Sequence, residues 1–503
     1  MGTQHNQQRN PLFAWIIALA LVGGGCGAAV DAAAPARSET ASGDTRPPAP
    51  GGGLPGSSTS PAGPGASGPT SGAGGSTSAG ASAPLPSPSD PGSSPSPTAP
   101  STGAAGASGS APPPSSTTPP MGTPPVSLPP PSNQPQSGLL TAGTWDDNLN
   151  FDFFQKYHRR MTALQTPGLL DAPISDRLMV MVTDAAGAAL AGARVSVISA
   201  GKEIAHTQTG ADGRALFFPN WGGADAAASI EIVAEANTIR KSITATVGTP
   251  LVTLPLGTTS APVAALDAAI VIDTTGSMGD EINYLTAELL NISTAIKELY
   301  PNVSQRWAFV AYKDYQDEYV TKRFDFVSDA ASFKNSFATL GAGGGGDFEE
   351  APERGLADMN TLAWRDGAVA RVAFWVGDAP HHNQHAVDVL SALRDAKGKG
   401  IHVYPVSASG TDDRLEFSMR VGAMITGGRY IFLSNDSGIG GDHKEPNIPC
   451  YRVTTLQKAM LRMIQIELTG KQVEPSAADV LRTGGNPRDG RCKLSDGQEV
   501  EVL

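Results

Sequence analysis

The chain has 503 residues, of which 17% are charged and 6% aromatic, and it is rich in Gly (58) and Pro (41). The length suffices for two or three ordinary domains, but the composition excludes a chain that is packed from end to end. Lys and Arg number 36 against 48 Asp and Glu, a formal charge of −12 with no basic block, which argues against nucleic-acid binding; three Cys exclude a disulfide-dense scaffold and a Cys-rich zinc module.

In chain order, the first element has the pattern of an export signal. Residues 1–10 are polar, Pro11–Val22 is apolar, and Gly23-Gly24-Gly25-Cys26 follows. A dozen apolar residues cannot span a bilayer, which needs about 20, and they suit the centre of a signal peptide. The small residues ahead of Cys26 resemble a bacterial lipobox, with Gly23 where Leu is usual. That resemblance implies removal of residues 1–25 and a diacylglycerol on Cys26, hence membrane attachment through a lipid. Gly27, rather than Asp, then favours the outer membrane or cell surface. The alternative is an ordinary signal peptide cut further on, with Cys26 incidental. Residues 26–140 are mostly Gly, Ala, Pro, Ser and Thr; between Pro47 and Gly143 the only charge is Asp90, and no aromatic residue occurs. No core can offset the ordering entropy there, so a disordered tether is expected, on the order of 300 Å long when extended.

Residues 141–175 form a lead-in segment. Its Trp145, Phe151, Phe153, Phe154 and Tyr157 are expected to pack on the domain that follows, with a helix from about Phe151. Residues 176–260 hold seven short β-type runs: LMVMVT, ARVSVI, IAHTQT, ALFF, SIEIVA, KSITATV and LVTLPL, separated by Gly/Asp turns. The pattern predicts an all-β sandwich. VTDAAGAALAGARVSV and TGADGRALF resemble bacterial immunoglobulin-like or carboxypeptidase-regulatory-like modules, which implies a spacer or adhesion scaffold. Asp184 and Asp212 could bind calcium, but carboxylates that shape turns are the better reading.

The pattern changes at Leu266. LDAAIVI is a continuous apolar run, as a strand buried on both faces requires. Helical stretches then alternate with the strands RWAFVAY, YVTKRFDF, RVAFWV, IHVYPVS and RYIFL up to about residue 470. Alternation predicts an α/β fold with a doubly wound, mostly parallel sheet over 264–470, and ligands at the carboxyl ends of its strands. Right after LDAAIVI stands Asp273-Thr274-Thr275-Gly276-Ser277. Asp273 supplies charge, and Thr275 and Ser277 supply hydroxyls, a donor set for a hard cation such as Mg²⁺. The competing reading is a helix cap with no metal.

This stretch resembles the von Willebrand factor A fold and its metal-ion-dependent adhesion site, over about Leu266–Gly470. The loop Gly343–Glu350 (GGGGDFEE) has no Thr and is closer to the D-x-P-E loop of integrin-β and hemicentin-type A domains. The match makes Glu350 the ligand candidate with Asp347 nearby, Glu349 replacing the family's Pro. Asp378, after strand RVAFWV, matches a later aspartate that contacts metal through water. For Glu350 and its neighbours the alternative is a helix N-terminal charge, and for Asp378 a helix-capping aspartate. The resemblance implies a divalent metal, Mg²⁺ first and Mn²⁺ or Ca²⁺ otherwise, and a protein partner that offers an Asp or Glu.

Other signals are weaker. His381 and His382 invite a zinc reading, but no third ligand lies at zinc spacing, so a place on the loop surface is expected. Ser434–Pro446 lacks calcium-loop spacing and is expected to be a structured turn. If Cys26 is lipidated, Cys450 and Cys492 remain as a pair in an oxidising setting, and a bridge between them is expected, with two free thiols as the alternative. The tail, 471–503, reads as a hairpin turned at Asp496-Gly497. No nucleophile elbow, phosphate loop or zincin helix occurs, so no enzyme is expected. The reading is an envelope lipoprotein that binds a protein through a metal. A non-adhesive scaffold with a structural metal and, further back, a metal-dependent hydrolase are the alternatives.

Overall fold

A computed structural model describes residues 137–337 and 339–502. The expected signal peptide, Cys26 and tether lie outside those residues. The chain runs through strand β1 (Thr141–Trp145) and helix α1 (Phe151–Ala163). Seven strands follow: β2 (Leu178–Thr183), β3 (Arg194–Ser199), β4 (Lys202–Gln208), β5 (Arg214–Phe217), β6 (Ser229–Ala236), β7 (Ile239–Thr246) and β8 (Leu251–Pro255). Next come β9 (Ala265–Asp273), α2 (Gly279–Leu299), β10 (Ser304–Tyr312), β11 (Thr321–Val327), α3 (Ala330–Phe337) and α4 (Pro352–Met359). The last part holds β12 (Ala370–Gly377), α5 (Ala386–Gly398), β13 (His402–Ser407), α6 (Asp413–Thr426), β14 (Tyr430–Leu433), β15 (Tyr451–Thr455) and α7 (Leu456–Thr469). Three short strands end it: β16 (Arg482–Gly484), β17 (Arg491–Lys493) and β18 (Glu499–Glu501).

The seven runs of 176–260 make two facing sheets, β5-β2-β8 and β4-β3-β6-β7. Their alternating apolar residues, Leu178, Val180 and Val182 against Val195, Val197, Ile230 and Ile232, share one core. This is the expected sandwich. Its β2 and β8 run parallel, so the pair is not a hairpin.

The α/β layer is a nine-stranded sheet in the order β11-β10-β9-β12-β13-β14-β1-β15-β16. Its centre, β10, β9, β12, β13 and β14, is parallel. Along β9, Ala268, Ile270 and Ile272 enter one core and Ala269 and Val271 the opposite one, as the two-residue period of a strand dictates. That is why LDAAIVI has no polar face. α2 covers one side with Ile282, Leu285, Leu289, Ile292 and Ile296, spaced three and four apart. Each such side chain contributes about 1.5–3 kcal/mol on burial.

Two expectations need correction. The lead-in segment is not a connector packed on the sandwich. Residues 141–145 form β1, which lies antiparallel between β14 and β15. Tyr157 of α1 packs at a tilt against Phe417 of α6 (ring centroids 5.9 Å apart) and lies under the Arg420 guanidinium (3.9 Å), so the aromatic residues pack on the α/β layer. The sheet also extends past the expected 264–470 range at both ends, through β1 and β16. The tail hairpin is β17–β18, paired as Cys492 with Val500. Cys450 and Cys492 are joined by a disulfide, with Cα atoms 6.2 Å apart. Asn150 closes the same junction: its side chain donates to Glu501 O (3.0 Å) and accepts the Glu501 N–H (2.8 Å).

Candidate metal centre

Three neighbouring parallel strands end together. Tyr312 of β10 pairs with Asp273 of β9, and Val376 of β12 pairs with Ile272. The strand ends therefore deliver Asp314, Asp273 and Asp378 to one edge of the sheet. Gly377 permits the close approach: a Cβ there would lie 2.4 Å from the Tyr312 hydroxyl and 3.6 Å from Asp273 Cβ. At the end of β9, Asp273 Oδ1 accepts the Thr275 N–H (2.9 Å) and the Thr275 hydroxyl (2.6 Å). These bonds curl the turn so that the Thr275 and Ser277 oxygens are 3.3 Å apart. Ser277 in turn donates to Asp378.

The glycine-rich loop lies against this turn. The Gly343 N–H donates to Thr274 O (3.1 Å), and the Gly276 N–H donates to Gly344 O (3.2 Å). Asp317 holds the Gly345 N–H from the other side (3.0 and 3.1 Å), and Lys313 donates to Gly343 O. Gly345 has φ +82°, and a Cβ on it would lie 3.2 Å from Glu350 Oε1 and 3.5 Å from Thr275 Cβ. A side chain there is both strained and crowded. The glycines thus let Glu350 approach Thr275. The Glu350 N–H donates to Pro380 O (2.9 Å), which fixes the loop to the one after β12. Glu349 turns the other way, to Arg414 (2.8 Å).

The donor set tests well for a hard cation. Asp273, Glu350 and Asp378 are 0%, 3% and 4% exposed. Each keeps one carboxylate oxygen, Oδ2, Oε2 and Oδ1 respectively, buried without a hydrogen-bond partner among the described residues. Burial first, and then the charges of Asp273, Asp314, Asp317 and Asp378, push Glu350 up to about 9. Asp273 is raised by burial and by the Asp378 charge, against the Thr275 hydrogen bonds and the charge of Lys313. Asp378 is raised by burial and by the Glu281 charge, against the Ser277 hydrogen bond. Buried carboxylates whose charge is not balanced are costly, Lys313 does not offset burial here, and a divalent cation is a group that would supply the missing charge. Asp273, Thr275, Ser277, Glu350 and Asp378 are the residues that would hold it, all through oxygen.

The sequence left open whether Glu350 or Asp347 belongs here. Glu350 is buried beside Thr275, whereas Asp347 is exposed and groups with Asp314 and His382, whose ligand atoms lie within 4.8 Å of one another. That second cluster was not foreseen. Asp314 comes from the end of β10, and its only sequence signal is an acid just past a buried strand. Nor is the surface expectation for the histidine pair met. His381 is 0% exposed and donates from Nε2 to Gly168 O (2.9 Å); burial pushes it down to about 4, so it is neutral. His382 is half-buried against Asp314 (2.6 Å). Thr275 makes no cap bond to the following helical turn. Asp184 and Asp212 act on turns: Asp184 accepts the Ala186 and Ala188 N–H groups (both 2.8 Å), and Asp212 accepts that of Arg214 (2.9 Å).

Comparison with known proteins gives the following. An ariadne-like RING finger protein of Acanthamoeba polyphaga mimivirus is 27% identical over 190 residues, 34% of this chain and 18% of that one. The alpha-protein kinase vwkA of Dictyostelium discoideum is 26% identical over 120 residues, 23% of this chain and 19% of that one. The chain thus spans less than a fifth of the length of these relatives. The conserved hypothetical protein BatB of Bacteroides thetaiotaomicron is a structural neighbour at 14% identity and TM-score 0.27, covering 40% of this chain and 97% of its own. Residues 267–421 match the family model described as von Willebrand factor A domain. The mostly parallel sheet and flanking helices described above are consistent with a von Willebrand A-like fold over those residues.

Proposed function

We propose that this chain is a cell-envelope lipoprotein that captures a protein partner through a divalent cation at the Asp273 edge. One observation carries the reading: three buried acidic side chains, Asp273, Glu350 and Asp378, stand at one sheet edge, each with a carboxylate oxygen that has no hydrogen-bond partner among the described residues, and the charge of Lys313 does not offset burial at Asp273. A cation bound there, Mg²⁺ in the first instance, supplies an electrophilic position that an Asp or Glu of the partner can fill. The chain's own residues do the rest. Thr275 and Ser277 orient the two aspartates, Gly343–Gly346 keeps the approach free of side chains, and Arg414 holds Glu349 out of the site. The sandwich serves as a spacer of the immunoglobulin-like kind. Cys26 carries the lipid, and the long Gly/Pro/Ser/Thr stretch carries the folded part away from the membrane, at the outer membrane or the cell surface. Binding, not turnover, is the activity.

Calorimetry on the full chain tests the centre. One Mg²⁺ or Mn²⁺ should bind, and Asp273→Ala should abolish it with the fold kept. Unchanged metal binding in that variant would remove the reading. A partner captured with Mg²⁺, released by EDTA and displaced by an Asp-containing peptide supports adhesion. Turnover of an ester or phosphate would favour the hydrolase instead. For the anchor, Cys26→Ser should move the chain from the membrane to the soluble fraction and lose labelled palmitate.

A further inference from the structure

The loop Ser434–Pro446 contributes nothing to the Asp273 edge, yet it folds around a buried histidine. His443 is 7% exposed. Asn435 Oδ1 accepts the His443 backbone N–H (2.9 Å) and lies 3.0 Å from His443 Nδ1. An atom that accepts a backbone N–H is the amide's oxygen, so the ring nitrogen facing it must donate, and Nδ1 carries a proton. In the neutral ring the lone pair is then on Nε2. Nε2 has no hydrogen-bond partner among the described residues and lies 3.4 Å from Glu281 Oε1.

Glu281, on the first turn of α2, is 0% exposed. Its Oε1 accepts the Ser409 N–H (3.1 Å), while its Oε2 has no partner among the described residues. With the ring neutral, a buried lone pair and a buried carboxylate face each other. Their separation exceeds an ordinary N–H···O bond, about 2.7–3.2 Å. It equals the spacing of two ligands held at about 2.0–2.1 Å by one tetrahedral zinc ion, which is about 3.4 Å. The Nδ1–H bond to Asn435 is the outer contact by which metal-bound imidazoles are oriented. Gly440, with φ +81°, packs closely against the pair: a Cβ there would lie 2.7 Å from Glu281 Oε1 and 3.4 Å from His443 Cε1.

From this geometry we infer that Glu281 and His443 bind a divalent cation of the kind that takes imidazole, such as Zn²⁺, under the 434–446 loop. Water fills the remaining positions. The site shares no residue with the Asp273 edge or with the Asp314, Asp347 and His382 cluster. Imidazole at this position selects a softer ion than the all-oxygen edge does. The cation also pins the loop to α2, the helix that follows the Asp273 turn.

The test uses the full chain, stripped with EDTA, saturated with Mg²⁺ and then dialysed against Zn²⁺. Wild type should retain one more equivalent of Zn²⁺ than His443→Gln or Glu281→Gln. Asp273→Asn, His382→Gln and the half-exposed His206→Gln should retain that equivalent. Equal Zn²⁺ content in wild type and both loop-site variants would overturn the site, and so would an equal loss in His206→Gln. A readout on wild type alone guards against misfolded variants. Zn²⁺ should shift the His443 Nε2 resonance in a long-range ¹H–¹⁵N spectrum, and an unmoved resonance at saturating Zn²⁺ overturns the inference.

Discussion

Asp267 and Asp273 lie near the two ends of β9, both fully buried, in opposite electrostatic settings. Asp267 accepts four hydrogen bonds: from Arg306 Nε (2.9 Å) and Nη2 (2.7 Å), and from Arg365 Nε (2.8 Å) and its backbone N–H (2.8 Å). Burial alone would raise its carboxyl, but the two guanidiniums outweigh burial and hold it below the ordinary range. Asp273 is hydrogen-bonded by Thr275 and feels the charge of Lys313, but burial and the Asp378 charge outweigh both and its carboxyl is raised. Both carboxylates are shut off from solvent, so lack of exposure alone does not set them apart. What separates them is how far the chain balances the charge: two guanidiniums bond Asp267, whereas Lys313 does not outweigh burial and Asp378 at Asp273.

The largest effect should come from breaking the finished end. Losing one partner of a buried pair costs about 3–5 kcal/mol. Arg365 is partly exposed and Arg306 remains, so Arg365→Ala should cost roughly 2–3 kcal/mol in denaturant melts. That loss should not depend on Mg²⁺; recovery on adding Mg²⁺ would break the comparison. At the open end, Mg²⁺ at a hundred times its Kd should stabilise wild type by about 2.7 kcal/mol and Asp273→Asn not at all. Without metal, Asp273→Asn should be at least as stable as wild type, since a raised carboxyl is a net cost to the fold at neutral pH.

The two ends should also respond to pH with opposite slopes. Glu350, pushed up to about 9, keeps a proton in the fold that the unfolded chain releases in the ordinary carboxylate range. The folded chain then binds more protons, so stability falls as pH rises through that window. Asp267 is lowered, so its contribution is present at neutral pH and is lost as pH falls through its folded value. EDTA-treated wild type should therefore lose more stability between pH 5 and pH 8 than Glu350→Gln does, and Mg²⁺ should flatten the wild-type profile. Parallel melting profiles for the two would count against an unpaired Glu350. The smallest effect should be that of Asp347→Asn on the exposed loop, within about 0.5 kcal/mol. Its Mg²⁺ affinity should stay at the wild-type value, and a tenfold drop would move Asp347 into the centre.

How much could be read from the sequence follows the range of the interactions. β9 was legible because a strand buried on both faces is apolar throughout, and the Asp273 turn because its donors lie within five residues. The sandwich was legible because each strand alternates and each turn carries Gly or Asp. β1 was not. TAGTW is short and has no alternation, and its Gly143 is there because a Cβ would lie 2.1 Å from the Phe432 ring, a contact across the sheet. β15 was hidden because YRVTT runs straight into α7, whose N-cap is Thr455. Asp314 beside His382 and Glu281 beside His443 join residues far apart in the chain, and no local pattern announces such pairs.

The place of β1 has a mechanical consequence. Seven backbone rungs join it to β14 on one side and β15 on the other, from Thr141↔Thr455 to Trp145↔Tyr430. A pull on the chain ahead of Thr141 acts along this strand, so its hydrogen bonds must shear together instead of opening one by one as at a sheet edge. Load taken up by a partner at the end of β9 would cross β12, β13 and β14 to reach β1. The sheet thereby becomes the tension member between a bound partner and whatever holds the other end of the chain.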